Sequence, residues 1–164
     1  ISEGPGSYTG LRIGVSAAKG ICFALKIPLI AIDTMFILAR KVECSNGYII
    51  SAMDARRDEI YYSVFKSDFC KIPKRISKTD FLILNSNSFS KILQSSRVNF
   101  VGNCNEKIKK FIKHENAKYT KFELPSSNEM PILSYSKFKN KDFEILSDFQ
   151  PKYLKEFGGK NIKN

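Results

Sequence analysis

Between a glycine-rich opening and Pro28 the chain reads "GPGSYTGLRIGVSAAKGICFALKIP", and this stretch limits the fold more than any other. Thr9 is placed to cap a helix that begins near Gly10 and must end before Pro28, which has no amide hydrogen to continue it. At about 100° per residue, Leu11, Val15, Ala18, Cys22 and Leu25 fall on one narrow stripe of alternating four- and three-residue spacing, a coiled-coil-like seam. Ile13, Ala17, Gly20, Ile21 and Ala24 fall on the roughly opposite side. A surface helix normally carries a single apolar face, and this one carries two. Small residues at Gly10, Gly14, Ala17, Ala18, Gly20 and Ala24 let neighbouring backbones come close. Such a helix is either buried on both sides within its own domain or turns one side to another subunit. The expectation adopted is a subunit interface at the seam Leu11, Val15, Ala18, Cys22 and Leu25.

The loop before the helix admits two readings. Gly4, Gly6, Ser7, Thr9 and Gly10 could cradle a phosphate at a helix N-terminus, where free N–H groups point outward. The known spacings do not fit. A Walker loop needs glycine where Thr9 stands and a lysine directly after it, and the dinucleotide pattern also fails at Thr9. The other reading is a tight turn in which Ser7 or Thr9 caps the helix.

Downstream, apolar runs alternate between helical and strand periods, which indicates an α/β domain. "LIAI" (Leu29–Ile32) reads as a short buried strand, followed by a helix over "MFILARKV" capped by Asp33 and Thr34. "GYIISAMDARRDEIYYSVFK" (Gly47–Lys66) reads as two strands rich in β-branched and aromatic residues around a polar turn at Asp54–Asp58. The acid and arginines of that turn could clamp a phosphate, although a turn held by Asp54 on its local backbone is the simpler reading. "FLILNSNSFSKILQSS" suggests a strand or loop running into a helix around Ser88–Gln94, and "VNFVGN" a strand ended by Gly102. "NEKIKKFIKHE" places Ile108, Phe111 and Ile112 on one side with lysines opposite, and Pro131–Lys139 suits a short helix. The Gly-Gly, Lys- and Asn-rich end is expected to fray.

The net charge of +11 is uneven. Residues 1–65 hold seven Lys/Arg against six Asp/Glu, and residues 66–164 hold twenty against ten. A basic second half invites an RNA or membrane-surface reading, but 21 lysines against 6 arginines, with abundant Ile, Phe, Asn and Ser, also fits simple coding bias. No stretch approaches about 18 uninterrupted apolar residues, so no membrane span is expected. No leader peptide is recognised, and the opening Ile1 suggests a start inside a longer protein. Cys22, Cys44, Cys70 and Cys104 are scattered and His114 is the sole histidine, which argues against a zinc site or a disulfide framework. A reducing, cytoplasmic setting is the default expectation.

Three segments together, "GPGSYTGLRIGVSAAKG", "IPLIAIDTMFILA" and "MDARRDEIYYSVF", resemble the bacterial TsaB (YeaZ) family, accessory proteins in making threonylcarbamoyladenosine in tRNA. The family form is close to G-P-G-S-F-T-G-L-R-I-G, with Tyr8 here where phenylalanine is commoner, and then D-A-R-x-x-E-[VI]-Y, carried by Asp54, Ala55, Arg56, Glu59, Ile60 and Tyr61. "PKYLKE" resembles the family's closing P-x-Y-L-R, with Lys155 in place of arginine. The match is strong over residues 3–66 and holds in outline beyond.

The resemblance implies an actin/Hsp70-like (ASKHA) α/β fold of two ribonuclease-H-like lobes. The first lobe would lack its N-terminal strands and first helix and span residues 1–45, and the second, basic lobe residues 46–164. It implies a non-catalytic scaffolding or activating subunit that works with the catalytic subunit TsaD and the ATPase TsaE, and that forms a homodimer or pairs with TsaD through a helix bundle. ATP and metal would reside on those partners, this chain needing no cofactor of its own. Threonylcarbamoyl-adenylate would supply the group transferred to tRNA adenosine. The metal-binding catalytic relative uses an H-x-x-x-H pair, which a single histidine rules out. Asp54, Arg56, Glu59 and Tyr61 would then be structural. Two further readings stay open: a glycoprotease-like hydrolase, for which the residues offer no triad, and an RNA-binding module, with tRNA contact by the lysine-rich half.

Overall fold

The computed structural model describes residues 1–42, 46–69 and 72–154. Cys44, Cys70, Lys155, the Gly-Gly tail and the expected lobe boundary at residues 45/46 fall on or against residues outside that set.

A short strand β1 (Ser2–Gly4) leads into the helix α1 (Tyr8–Leu25). The cap is Ser7 and not Thr9, its hydroxyl accepting from the Gly10 N–H at 3.3 Å. One hydroxyl at the turn's corner serves the first free N–H, so the helix starts two residues earlier than expected. It ends at Lys26, which takes the left-handed conformation just ahead of Ile27 and Pro28. The strand expected at Leu29–Ile32 is displaced: β2 (Ile32–Asp33) pairs in parallel with β1, and Leu29 makes only an isolated bridge to Glu144. Asp33 then caps α2 (Thr34–Arg40), accepting from the Met35 and Phe36 N–H groups at 2.8 and 3.2 Å.

The hairpin β3 (Asn46–Asp54) and β4 (Glu59–Asp68) forms the middle of a mixed sheet. Two-residue β5 (Lys74–Arg75) and β6 (Asp80–Ile83) both pair antiparallel with β4. After α3 (Ser90–Ser95), β7 (Val98–Val101) joins β3 in parallel; after α4 (Asn105–Phe111), β8 (Ala117–Tyr119) extends the sheet past β7. A 3-10 turn (Ser127–Glu129) opens α5 (Met130–Lys139).

Both faces of this sheet are covered. One carries Ile50, Ile60, Val98 and Phe100 against Leu93 of α3 and Ile108 of α4, so α4 buries the stripe its spacing marked. The other carries Ile49, Phe65 and Val101 against Met35, Leu38 and Ala39 of α2. A second, smaller layer packs Val15 and Cys22 of α1 on Leu29, Ala31 and Phe149. The two layers are tied where Arg75 Nη2 approaches Asp33 Oδ1 to 2.8 Å and the Thr79 hydroxyl donates to Asp33 Oδ2 at 3.2 Å. Gly102 is compulsory: its φ is +131°, and a Cβ there would lie 1.8 Å from the Ala52 carbonyl oxygen.

Candidate functional site

Two of the segments singled out in the sequence, the glycine loop and the "DARR" turn, meet in space. A cleft of about 950 Å³ opens between the loop Pro5–Thr9 and the hairpin turn Asp54–Arg57, with Lys152, Tyr153 and Leu154 closing one side. Glu59 and Tyr61 of β4 line its wall.

Chain geometry holds the loop wall in place. Gly4 has φ of +107°, and a Cβ on it would sit 2.8 Å from the Lys152 carbonyl oxygen, so the loop and the closing segment approach to backbone contact. Lys152 fastens the two again, its N–H donating to the Glu3 carbonyl at 2.7 Å and its Nζ standing 2.5 Å from Glu3 Oε1. Beyond it the Tyr153 ring stacks at a tilt on Tyr8, centroids 4.7 Å apart. The Arg12 guanidinium lies 4.0 Å over the Tyr8 ring, and its Nε donates to the Tyr153 hydroxyl at 3.2 Å. A cation on an aromatic face contributes about 0.5–1 kcal/mol at an exposed site.

The turn wall is shaped by Asp54. Its Oδ1 accepts from the Arg56 N–H at 2.7 Å, its own N–H donates to Asn103 Oδ1 at 2.9 Å, and Lys107 Nζ stands 2.5 Å away. Burial pushes the Asp54 carboxyl up, but Lys107 and the Arg56 N–H outweigh it and hold the pKa below the ordinary carboxylate value. Lys107 also donates to the Glu59 carbonyl at 3.3 Å, so one ammonium pins both ends of the turn. The motif acid is therefore committed to the turn. Burial pushes the Tyr61 phenol up, keeping it protonated at neutral pH.

Arg56 and Arg57 adopt φ of +70° and +47° in succession, a conformation usually left to glycine or asparagine. Both side chains are exposed and line the cleft. Among the described residues, no group of three or more His, Cys, Asp or Glu is placed to hold a metal ion. His114 is exposed, does not line the cleft, and its Nδ1 accepts from the Asn116 N–H.

The helix seam is corrected by the structure. Val15 and Cys22 are buried against the chain's own Leu29, Ala31 and Phe149, with Ala18 packed beside them and Leu11 half-buried over the loop. Of the five, only Leu25 stands out, 65% exposed. A 4-3-4-3 stripe marks a packed face without saying what packs on it, and here Leu29, Ala31 and the Phe149 segment do. The opposite face, with Ile13 at 66% and Ile21 at 56%, is the open one, continued by Phe23 at 81%. The Tyr8–Arg12–Tyr153 cluster and the Lys107 lock were not anticipated. Their partners lie 141 and 53 residues apart, a separation no periodicity reports.

Residues 1–161 match the family model of TsaD, tRNA N6-adenosine threonylcarbamoyltransferase. The chain is 36% identical over 68 residues to the tRNA threonylcarbamoyladenosine biosynthesis protein TsaB of Escherichia coli (strain K12), covering 40% of this chain and 29% of that one. It is 39% identical over 66 residues to TsaB of Bacillus subtilis (strain 168), with the same coverage of 40% and 29%. These matches span less than a third of the relatives' length. A longer match, 28% identical over 160 residues, covers 94% of this chain and 71% of TsaB from Buchnera aphidicola subsp. Baizongia pistaciae. Among solved structures, YeaZ from Pseudomonas aeruginosa superposes with a TM-score of 0.76 at 20% identity, covering 93% of this chain and 71% of that one. An uncharacterized protein with similarity to peptidase YeaZ, from the same organism, reaches a TM-score of 0.80 at 21% identity, covering 94% and 71%. The α/β fold with its mixed sheet is thus that of the YeaZ structures. Its sequence match over nearly the whole length places the chain in the TsaD family, among the TsaB (YeaZ) proteins.

Proposed function

We propose that this chain is a non-catalytic subunit of the machinery that installs threonylcarbamoyladenosine in tRNA, and that its outward α1 face binds the next subunit. The observation that carries this reading is the run of exposed Ile13, Ala17, Gly20, Ile21 and Ala24 along one side of α1, flanked by Phe23 and Leu25. Apolar side chains interleaved with small residues suit close helix–helix packing. The names of the relatives supply the process.

In this reading the catalytic TsaD is the partner, with a second copy taking the same face when TsaD is absent, and the ATPase TsaE joins the complex. ATP and metal belong to those partners, and the setting is cytoplasmic. The two sheets correspond to two ribonuclease-H-like lobes of an actin/Hsp70-like fold, with α2 packed on the larger sheet and the 144–152 segment returning to the smaller one in place of a clean division at residues 45/46. No helix of the described residues is long and apolar enough to cross a membrane.

The test is the modification assay with full-length protein, TsaD, TsaE, threonylcarbamoyl-adenylate and tRNA. Modified adenosine is expected only when this protein is present, and Ile21→Glu is expected to lose both association with TsaD by ultracentrifugation and modification. Equal modification without the protein, or unchanged association of Ile21→Glu, overturns the reading.

A further inference from the structure

We infer that the cleft between the Pro5–Thr9 loop and the Asp54–Arg57 turn is a contact site for single-stranded RNA, with Arg56 and Arg57 on the phosphates and Tyr153, backed by Tyr8, against a base. The inference rests on the tRNA reading above, but it places the contact in one cleft, built by the loop, the turn and the Lys152–Leu154 segment, and not on the lysine-rich surface at large.

Four observations lead to it. First, Arg56 and Arg57 occupy consecutive left-handed positions where glycine or asparagine would be easier. Unfavourable backbone kept at an exposed turn points to a use for the side chains it presents. Second, neither arginine makes an ion pair within the described residues, whereas the neighbouring Asp54 is neutralised by Lys107. The turn therefore presents two guanidinium groups to the cleft without a direct ion pair, although Asp58 follows them and the Glu59 carboxylate shares the cleft wall. Third, the facing wall is aromatic: Tyr153 is 38% exposed and stacked with Tyr8, and Arg12 backs the pair. Cations for a backbone on one wall and rings for bases on the other are what unstacked nucleic acid requires.

Fourth, the backbone disfavours a lone nucleotide. The loop has no glycine spacing that would wrap a single phosphate group. An acidic peptide is the competing occupant. It would use the arginines but leave the tyrosine pair unexplained, so RNA is favoured.

The experiment uses the full-length protein and a fluorescein-labelled single-stranded oligoribonucleotide of about eight nucleotides, within the usual site size, read by anisotropy between about 50 and 200 mM salt. The informative variant is Arg56→Gly/Arg57→Gly. Glycine suits both positive φ values, so the variant is expected to melt no lower than wild type, and lost binding cannot be laid to misfolding. Its log–log salt slope is expected to fall by about 1.4, two phosphate contacts at about 0.7 each, with affinity down about tenfold or more. Tyr153→Leu is expected to weaken binding with the slope unchanged, because a lost stack carries no counterion release. The control Lys109→Gln/Lys110→Gln/Lys113→Gln removes three exposed charges from α4 and its end and is expected to change affinity less than about twofold.

Wild type that fails to bind at the lower salt overturns the inference. So does a control variant that loses as much as the arginine variant, since the contact would then be a diffuse lysine field. Adenosine monophosphate competing as well as the oligomer would make the cleft a nucleotide pocket instead. Arginine-variant protein that keeps RNA but no longer binds TsaD would make it a protein-docking site. The scaffold reading is judged separately on Ile21→Glu, which is expected to retain oligomer binding while losing TsaD.

Discussion

Asp33 is where the two layers of the molecule are joined, and its replacement separates three contributions. The side chain caps α2, pairs with Arg75 at 2.8 Å, and accepts the Thr79 hydroxyl at 3.2 Å, all at a residue only 9% exposed. Losing a carboxylate cap costs about 1 kcal/mol. Leaving the partner of a buried pair alone costs about 3–5 kcal/mol. That figure must be reduced here, because the Arg75 side chain is 29% exposed and the approach, although close, is not aligned as a hydrogen bond; about 2 kcal/mol is a fair share. The Thr79 hydrogen bond adds about 1 kcal/mol. Asp33→Ala should therefore destabilise by about 3–4 kcal/mol, the terms being not strictly additive. Asp33→Asn keeps one oxygen for the cap and puts an NH2 group opposite Thr79, whose hydroxyl can then accept instead of donate; the charge is lost, so about 2 kcal/mol is expected. Urea unfolding followed by circular dichroism reads both, and with a slope near 2 kcal/mol/M the midpoint should fall by roughly 1.5–2 M for alanine and about 1 M for asparagine. Equal midpoints for the two variants would show that the charge pair, not the cap, accounts for everything. Asparagine within about 0.5 kcal/mol of wild type would show that the Arg75 pair contributes nothing, as many partly solvated pairs do, and would refute the claim that it joins the layers.

Gly102→Ala should prevent stable folding, costing about 3 kcal/mol or more, because the added carbon would lie 1.8 Å from a backbone oxygen at φ +131°. Gly20→Ala, with nothing within 4 Å, should instead raise the melting temperature through a gain of up to about 1 kcal/mol; differential scanning calorimetry of the two tests whether the map of glycine contacts is right. Cys104 is 2% exposed, and burial, with Asp54 adding to it, pushes its thiol from 9.0 up to about 12. The unfolded chain ionises this thiol first, so its contribution to stability is fully present below about pH 9 and is lost as pH rises towards 12. In a Cys44→Ser/Cys70→Ser background, thiol reagent at pH 8 should label Cys104 no faster than the protein unfolds; labelling at the rate of a free peptide thiol would contradict its burial.

Much of the chain's local order was readable from residue order because it is decided locally. Asp33 before an apolar helical run, the β-branched arms on either side of "DARRDE", and the amphipathic "NEKIKKFI" each carry their own reason for being a cap, a hairpin or a surface helix. The elements that were missed or displaced are short. β1, β5 and β8 have two or three residues each and form only because a neighbouring strand offers a free edge. Ser7 took the cap expected of Thr9 because the turn geometry, not the residue type, selects between adjacent hydroxyls. The site divides in the same way. The loop and turn motifs were visible one by one, while their convergence on one cleft, and the closing role of Tyr153, depend on contacts across 141 residues.

What the residue order determined alone was that α1 has two apolar faces and that the Asp54 turn is compact. Periodicity and side-chain chemistry act over a few residues and need no knowledge of the rest of the chain. Which face of α1 turns inward was decided only in three dimensions. Both stripes satisfy helical spacing, and the choice fell to whichever met Leu29, Ala31 and Phe149 when β2 paired with β1. The stripe of Val15 and Cys22 gained that partner, and Ile13 and Ile21 were left facing out. The area of apolar surface removed from water sets that outcome, and it is a property of the assembled layers and not of the helix.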